Sequence, residues 1–203
     1  MTTITRRTLL RALSTAPAAA ALVWTDAEAK QAHDHAEAAR QAATAGKTAF
    51  KPQFFTPHEY ATVGILVDLI IPKDERSGSA TDVGVPEFMD FMMIENPGRQ
   101  TAMRGGLAWI DRECLKRSDK PFAECTAAER TALLDDIAWP QKVKPGMLAG
   151  TTFFTSFRDL TASGFWTTKA GFADLQYMGN TFVPEWKGCP DEQLKKLGVS
   201  SNG

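Results

Sequence analysis

The sequence predicts a mostly α-helical fold, a single domain of about five to six helices with a long C-terminal loop region rich in aromatics and glycine. Three observations carry this reading. Apolar residues recur three and four positions apart in several windows. Thr56 with Glu59, and Thr126 with Glu129, have the Thr-x-x-Glu form of capping boxes. No stretch alternates apolar and polar residues for long enough to specify a strand.

The first helix of the domain is TPHEYATVGILVDLIIP. Thr56 caps it, Pro57 suits its first turn, and Tyr60, Val63, Val67, Ile70 and Ile71 keep helical spacing until Pro72 stops it. A polar loop, KDERSGSATDVG, leads to a second helix that starts at Pro86. The third runs from Arg99 to Arg117, with Met103, Leu107, Ile110 and Cys114 on one stripe; the pair Gly105-Gly106 inside it reads as a kink or a close-packing point. Thr126 opens a fourth helix that ends before Pro140, and a fifth covers Leu148 to Phe165. A short last helix spans Pro190 to Leu197 and is stopped by Gly198. There is no internal repeat and no second domain.

Ahead of these helices lies MTTITRRTLLRALSTAPAAAALVW. A charged start, a moderate apolar run and small residues after it describe a signal peptide, and the run is too short for a membrane span, which needs ~20 apolar residues. Arg6 and Arg7, with leucines following, have the form of a twin-arginine (Tat) export signal; Ala27-Glu28-Ala29 has the form of a cleavage site. The expected organisation is therefore a signal over 1–29, a solvated helix or flexible linker over 30–53, and the helical domain over 54–203. The linker reading rests on KQAHDHAEAARQAATAGK, which favours helix but has almost no large apolar side chain. The Tat route moves folded chains, so cofactor chemistry, or a partner that carries it, becomes the question.

Composition narrows the answer. Hydrophobic residues make up 43 % of the chain, enough for a core, and a net charge of -1 gives no electrostatic basis for nucleic-acid binding. Cys114, Cys125 and Cys189 leave an odd thiol, which in an exported chain points to a free thiol or a bridge to another chain. His33 and His35 flank Asp34, but on a helix two residues apart point to different faces, and the cysteines lack the close spacing of zinc, haem or iron-sulfur ligands. Neither a nucleotide-binding glycine motif nor a nucleophile elbow is present. The carboxylates Asp135, Asp136 and Asp174 are what a small enzyme would have to use; the first two read as a solvated helix face. No catalytic residue, cofactor ligand or metal ligand is assigned to this chain.

The most unusual stretch is SFRDLTASGFWTTKAGFADLQYMGNTFVPEWKGCP. Aromatics set among glycines make an adaptable contact surface, and Trp and Tyr are common interface anchors. Within it, GFWTTKAGFADLQYMGN resembles the G-F-[YW]-T-[ST]-x-x-G-x-x-D-L-x-Y-x-G-N signature of the gluconate 2-dehydrogenase subunit 3 family, and PEWKGCP resembles its W-x-G-C-P ending. FFTPHEYATVGILVDLIIPKDE and KPFAECTAAERTALLDDIA resemble its N-terminal and middle motifs, so that the likeness covers Phe54 to Val199. Cys125 stands where the middle motif often has Leu, and Gln176 where Gly is frequent.

The resemblance implies a small, non-catalytic subunit of a membrane-bound flavin dehydrogenase acting on sugars, sugar acids or polyols. Its large partner would be of the glucose-methanol-choline (GMC) type and hold FAD, often with an iron-sulfur cluster, and a multihaem cytochrome c subunit would pass electrons on. The small subunit would bring the large one to the periplasm through the Tat translocase, where the complex is associated with the cytoplasmic membrane. On this reading Phe165, Trp166, Tyr177 and Trp186 present or support the docking face. Cys189, between Gly188 and Pro190, is the candidate for an interchain disulfide. The competing readings are a stand-alone periplasmic small-ligand binding protein and an enzyme built on the three aspartates.

Overall fold

The computed structural model describes residues 26–45, 50–177, 184–185 and 188–198; Arg6, Arg7 and Trp186 lie outside them. The described residues contain eight α-helices and three short 3-10 turns, and no strand occurs among them. The helices are α1 (Asp26–Ala45), α2 (Pro57–Ile70), α3 (Val85–Glu95), α4 (Gln100–Ser118), α5 (Ala127–Ile137), α6 (Leu148–Trp166), α7 (Lys169–Asp174) and α8 (Asp191–Leu197). Both expected capping boxes form. The Thr56 and Thr126 hydroxyls accept the N–H groups of Glu59 and Glu129, whose carboxylates reach back to the two cap residues.

The segment read as a solvated helix or linker is helical through Ala45 and lies on α3 and α6. Its contact face is built from small residues: Ala32 and Ala36 are buried, while His33 and His35 stack on Phe88 and Phe91 of α3. The neutral imidazole of His33 donates from Nε2 to the Gly164 carbonyl at 2.6 Å. Burial holds its pKa below the usual histidine value, against the pull of that carbonyl. A face of alanines and imidazoles has little hydropathy, which is why the pattern reads as solvated.

A buried carboxylate fixes the start of α2. Asp90 on α3 is 2 % exposed and accepts the backbone N–H groups of Gln53, Phe54 and Phe55 at 2.8, 3.0 and 2.9 Å. A buried charge is tolerated when hydrogen bonds replace its water, and three charge-assisted donors do so here. The Phe54 and Phe55 rings enter the core. The Phe54 carbonyl accepts from Arg104 of α4 at 2.7 Å, whose guanidinium lies 4.4 Å from the Phe54 ring centroid and also grips Glu59. One knot of side chains thus orients α2, α3 and α4.

α6 is long despite four threonines, two serines and two glycines. Its hydroxyls fold back onto carbonyls one turn earlier, as in Thr155 to Thr151 at 2.8 Å and Thr161 to Phe157 at 2.9 Å, so they do not compete elsewhere. α6 crosses α4 through a reciprocal fit. A methyl at Gly106 on α4 would come within 1.8 Å of the Phe153 ring, and one at Gly150 on α6 within 2.2 Å of the Trp109 ring. Each helix supplies one glycine gap and one aromatic knob. Of the adjacent pair, Gly106 is the close-packing point, whereas a methyl at Gly105 would meet nothing within 4 Å among the described residues.

The stretch after α6 is not one continuous loop. Thr168 caps α7, accepting the Gly171 N–H at 2.9 Å, and this short helix folds back on the end of α6. A cap and one turn of helix leave too few residues for a visible apolar period. Residues 178–183 and 186–187 of the expected loop lie outside the described residues.

Two outcomes follow. Asp90→Ala leaves three N–H groups without their acceptor and lowers stability by ~3–5 kcal/mol in urea denaturation. Gly106→Ala overpacks the crossing and lowers stability by ~1–3 kcal/mol, whereas Gly105→Ala raises it by ~0.5–1 kcal/mol, read as opposite shifts in Tm.

Candidate functional site

Two surface features bear on function. The first is an aromatic shoulder where α6 ends and α7 begins. Trp166 is half-buried, its ring edge-on to Phe165 at 4.9 Å. Phe172, Leu175 and Tyr177 are 43 %, 55 % and 54 % exposed, with the Phe172 and Tyr177 rings 5.5 Å apart. Phe165 is fully buried in the core, where it backs Trp166, a position from which it supports the shoulder and does not present a surface. The helical period of α6 turns it inward beside Gly164.

Asp174 fastens this shoulder to the rest of the body. Arg76, in the loop between α2 and α3, donates to the Asp174 carbonyl and pairs its Nε with the Asp174 carboxylate at 3.0 Å. Gln176 has a φ of 54°, in the left-handed region, and its N–H closes a turn onto Ala173. Glycine adopts that conformation without strain, while another residue there costs roughly 1 kcal/mol.

The second feature, which sequence reasoning missed, is a trough of about 680 Å³ between α4 and α6, closed at one end by the turn before α4. Met93, Met103 and Phe157 form its buried floor, and Trp109, Phe153 and Leu148 its walls. Arg99 and Arg112 are the ionisable side chains in its lining, and no carboxylate is among them. The Gly105-Gly106 pair was its sequence signal, since a glycine pair inside a helix marks a place of close approach.

The remaining candidates are scattered. Asp136 is held by Arg117 at 3.0 Å and by Lys144, and the Lys144 ammonium chiefly holds its pKa below the ordinary aspartate value. Asp135 is exposed nearby, and Asp174 is on the far shoulder. His58 pairs with Asp111 at 2.6 Å, away from His33 and His35. Among the described residues no three His, Cys, Asp or Glu side chains form a group able to hold a metal ion. Among them, too, no helix is long and apolar enough to cross a membrane. Cys189 is exposed and free, just before α8. Cys114 and Cys125 are buried together, and burial, reinforced by the neighbouring Cys125 thiol, pushes the Cys114 thiol up to about 12.

No curated protein and no solved structure matches the chain. A family model described as gluconate 2-dehydrogenase subunit 3 matches residues 57–184, the span from the first capped turn of α2 past the aromatic shoulder. Well over half of the chain is covered, and helices α2 to α7 and the Gln176 turn fall inside the match. The chain therefore belongs to the gluconate 2-dehydrogenase subunit 3 family, accessory subunits of a multi-subunit dehydrogenase.

Proposed function

We propose that this chain is the non-catalytic small subunit of a periplasmic, membrane-associated flavin dehydrogenase. It carries a Tat signal and acts as escort and maturation chaperone for a large GMC-type catalytic subunit. The observation that carries this reading is membership of the subunit 3 family over residues 57–184, joined to an N-terminus with an adjacent arginine pair before a short apolar run. FAD, and an iron-sulfur cluster where present, belong to the large subunit, and haem c to a cytochrome partner.

The division of labour is physical. Arg6 and Arg7 engage the translocase, and the folded body holds the cargo. Trp166 and Tyr177, with Trp186, form the contact face, and buried Phe165 supports Trp166 from behind. Aromatic anchors of this kind are each worth ~2 kcal/mol or more on truncation. Cys189 is exposed and adjacent to that surface in sequence. It bridges to a cysteine of the large subunit, the two thiols giving up two electrons and two protons to a thiol oxidant of the periplasm. The trough favours one alternative, a stand-alone periplasmic small-ligand binding protein, because ~300–1,000 Å³ is the usual range of ligand pockets. That alternative requires a ligand-induced rise in the Tm of the isolated chain.

Replacing Arg6 and Arg7 together by lysine strands both this chain and the flavoprotein in the cytoplasm, measured as the flavoprotein's distribution between periplasm and cytoplasm after co-expression. An unchanged distribution refutes the escort role. On a non-reducing gel of the purified complex, Cys189→Ser removes a high-mass band that reductant also removes; its persistence in the variant rules out the bridge.

A further inference from the structure

We propose that Cys114 and Cys125 close an intrachain disulfide once the chain reaches an oxidising compartment, tying the C-terminal half of α4 to the start of α5. The inference rests on the export reading above, and it leaves Cys189 as the one thiol free to bridge to another chain.

Placement is the first argument. Both thiols are free and buried in the same hydrophobic core. Cys114 lies on the buried face of α4, and Cys125 ends the 3-10 turn Phe122–Glu124, directly before the Thr126 cap of α5. That turn is pinned from both sides. The Phe122 N–H donates to the Asp111 carboxylate of α4 at 3.0 Å, and Arg130 of α5 donates to the Phe122 and Ala123 carbonyls. Asp111 and Cys114 are three residues apart on α4, as Phe122 and Cys125 are along the turn. The second rung of this pairing brings the thiols together. Cys114 is hydrogen-bonded to Cys125, whose own Sγ donates to the Lys120 carbonyl at 3.7 Å. Two cysteines can be bridged without moving the backbone only where their side chains converge, and these converge.

Redox chemistry is the second. A lone buried cysteine behaves as a small apolar side chain, but two thiols in contact in an exported chain meet conditions in which disulfides form and persist. In the cytoplasm the glutathione and thioredoxin pools keep such a pair reduced. After export it reacts by exchange with a disulfide-bearing thiol oxidant of the periplasm. Cys125 reacts first, because it lies on a short irregular segment while Cys114 is held inside α4. Its thiolate attacks the oxidant's disulfide, forming a mixed disulfide and releasing one oxidant thiol. Cys114 then attacks the Cys125 sulfur and releases the other. Two S–H bonds break, one S–S bond forms, and two electrons and two protons leave with the reduced oxidant. Burial, which pushes the Cys114 thiol up to about 12, is relieved when the turn moves off α4, so the opening that admits the oxidant also activates the second thiol.

The test uses the full chain, recovered from periplasm and cytoplasm with free thiols alkylated at lysis, and the purified reduced chain incubated with oxidised glutathione. Trypsin cuts after Arg112, Lys116, Arg117 and Arg130 but not between Lys120 and Pro121, so the bond is read by mass as residues 113–116 linked to 118–130. The linked peptide is expected in the periplasmic chain and in the glutathione sample, and reductant removes it. Reductant is also expected to lower the Tm of the oxidised chain by roughly 5–10 °C. Cys125→Ala loses both the linked peptide and the reductant-dependent shift, whereas Cys189→Ser keeps both. An exported chain in which Cys114 and Cys125 are alkylated without reductant overturns the proposal, as does a bond from either of them to Cys189. A chain retained in the cytoplasm that forms the linked peptide only in oxidised glutathione supports the pairing and counts against export, so the two failures are told apart.

Discussion

The buried Asp90 carboxylate is the constraint on which the arrangement of the body depends. A charge withdrawn from water must be met by donors, and here these are three consecutive backbone N–H groups of an otherwise irregular segment. Satisfying the charge therefore fixes a path for the chain. That path sends Phe54 and Phe55 into the core and delivers Thr56 where it caps α2. Arg104 then uses the same segment's free carbonyl and the capping-box glutamate to register α4. Three helices are oriented by electrostatics at one point, and the methionines and phenylalanines between them fill the remaining space.

The other half of the body is set by shape. Two glycines and two aromatics interlock α4 with α6, a fit specific in shape because either added methyl collides with a ring. The same crossing that binds the helices leaves the trough beside it, walled by the outer faces of Trp109 and Phe153. One device thus closes the core and shapes a surface.

Several chemistry-bearing side chains in this body are occupied with structure. Asp136 and Asp174 sit in ion pairs that tie separate segments, Asp111 joins His58 to the Phe122 N–H, and the buried thiols face each other. Large apolar side chains also reach the surface: Phe172, Leu175 and Tyr177 on the shoulder, Leu148 over the trough.

Helix positions were legible because their causes are local. Thr56-Glu59 and Thr126-Glu129 cap the turns they belong to, Pro72 and Gly198 stop helices within reach of their own backbone, and the motif spacing that marked the family lies along one strand of text. Burial was not legible, because it depends on what arrives from elsewhere in the chain. Ala32 and His33 look solvated until α3 and Gly164 meet them. Asp90 reads as one more helix acid until residues 53–55 fold over it. Gly105 and Gly106 are indistinguishable in the sequence, and only Phe153, brought up by a helix more than forty residues on, decided which glycine packs the core and which lines the groove.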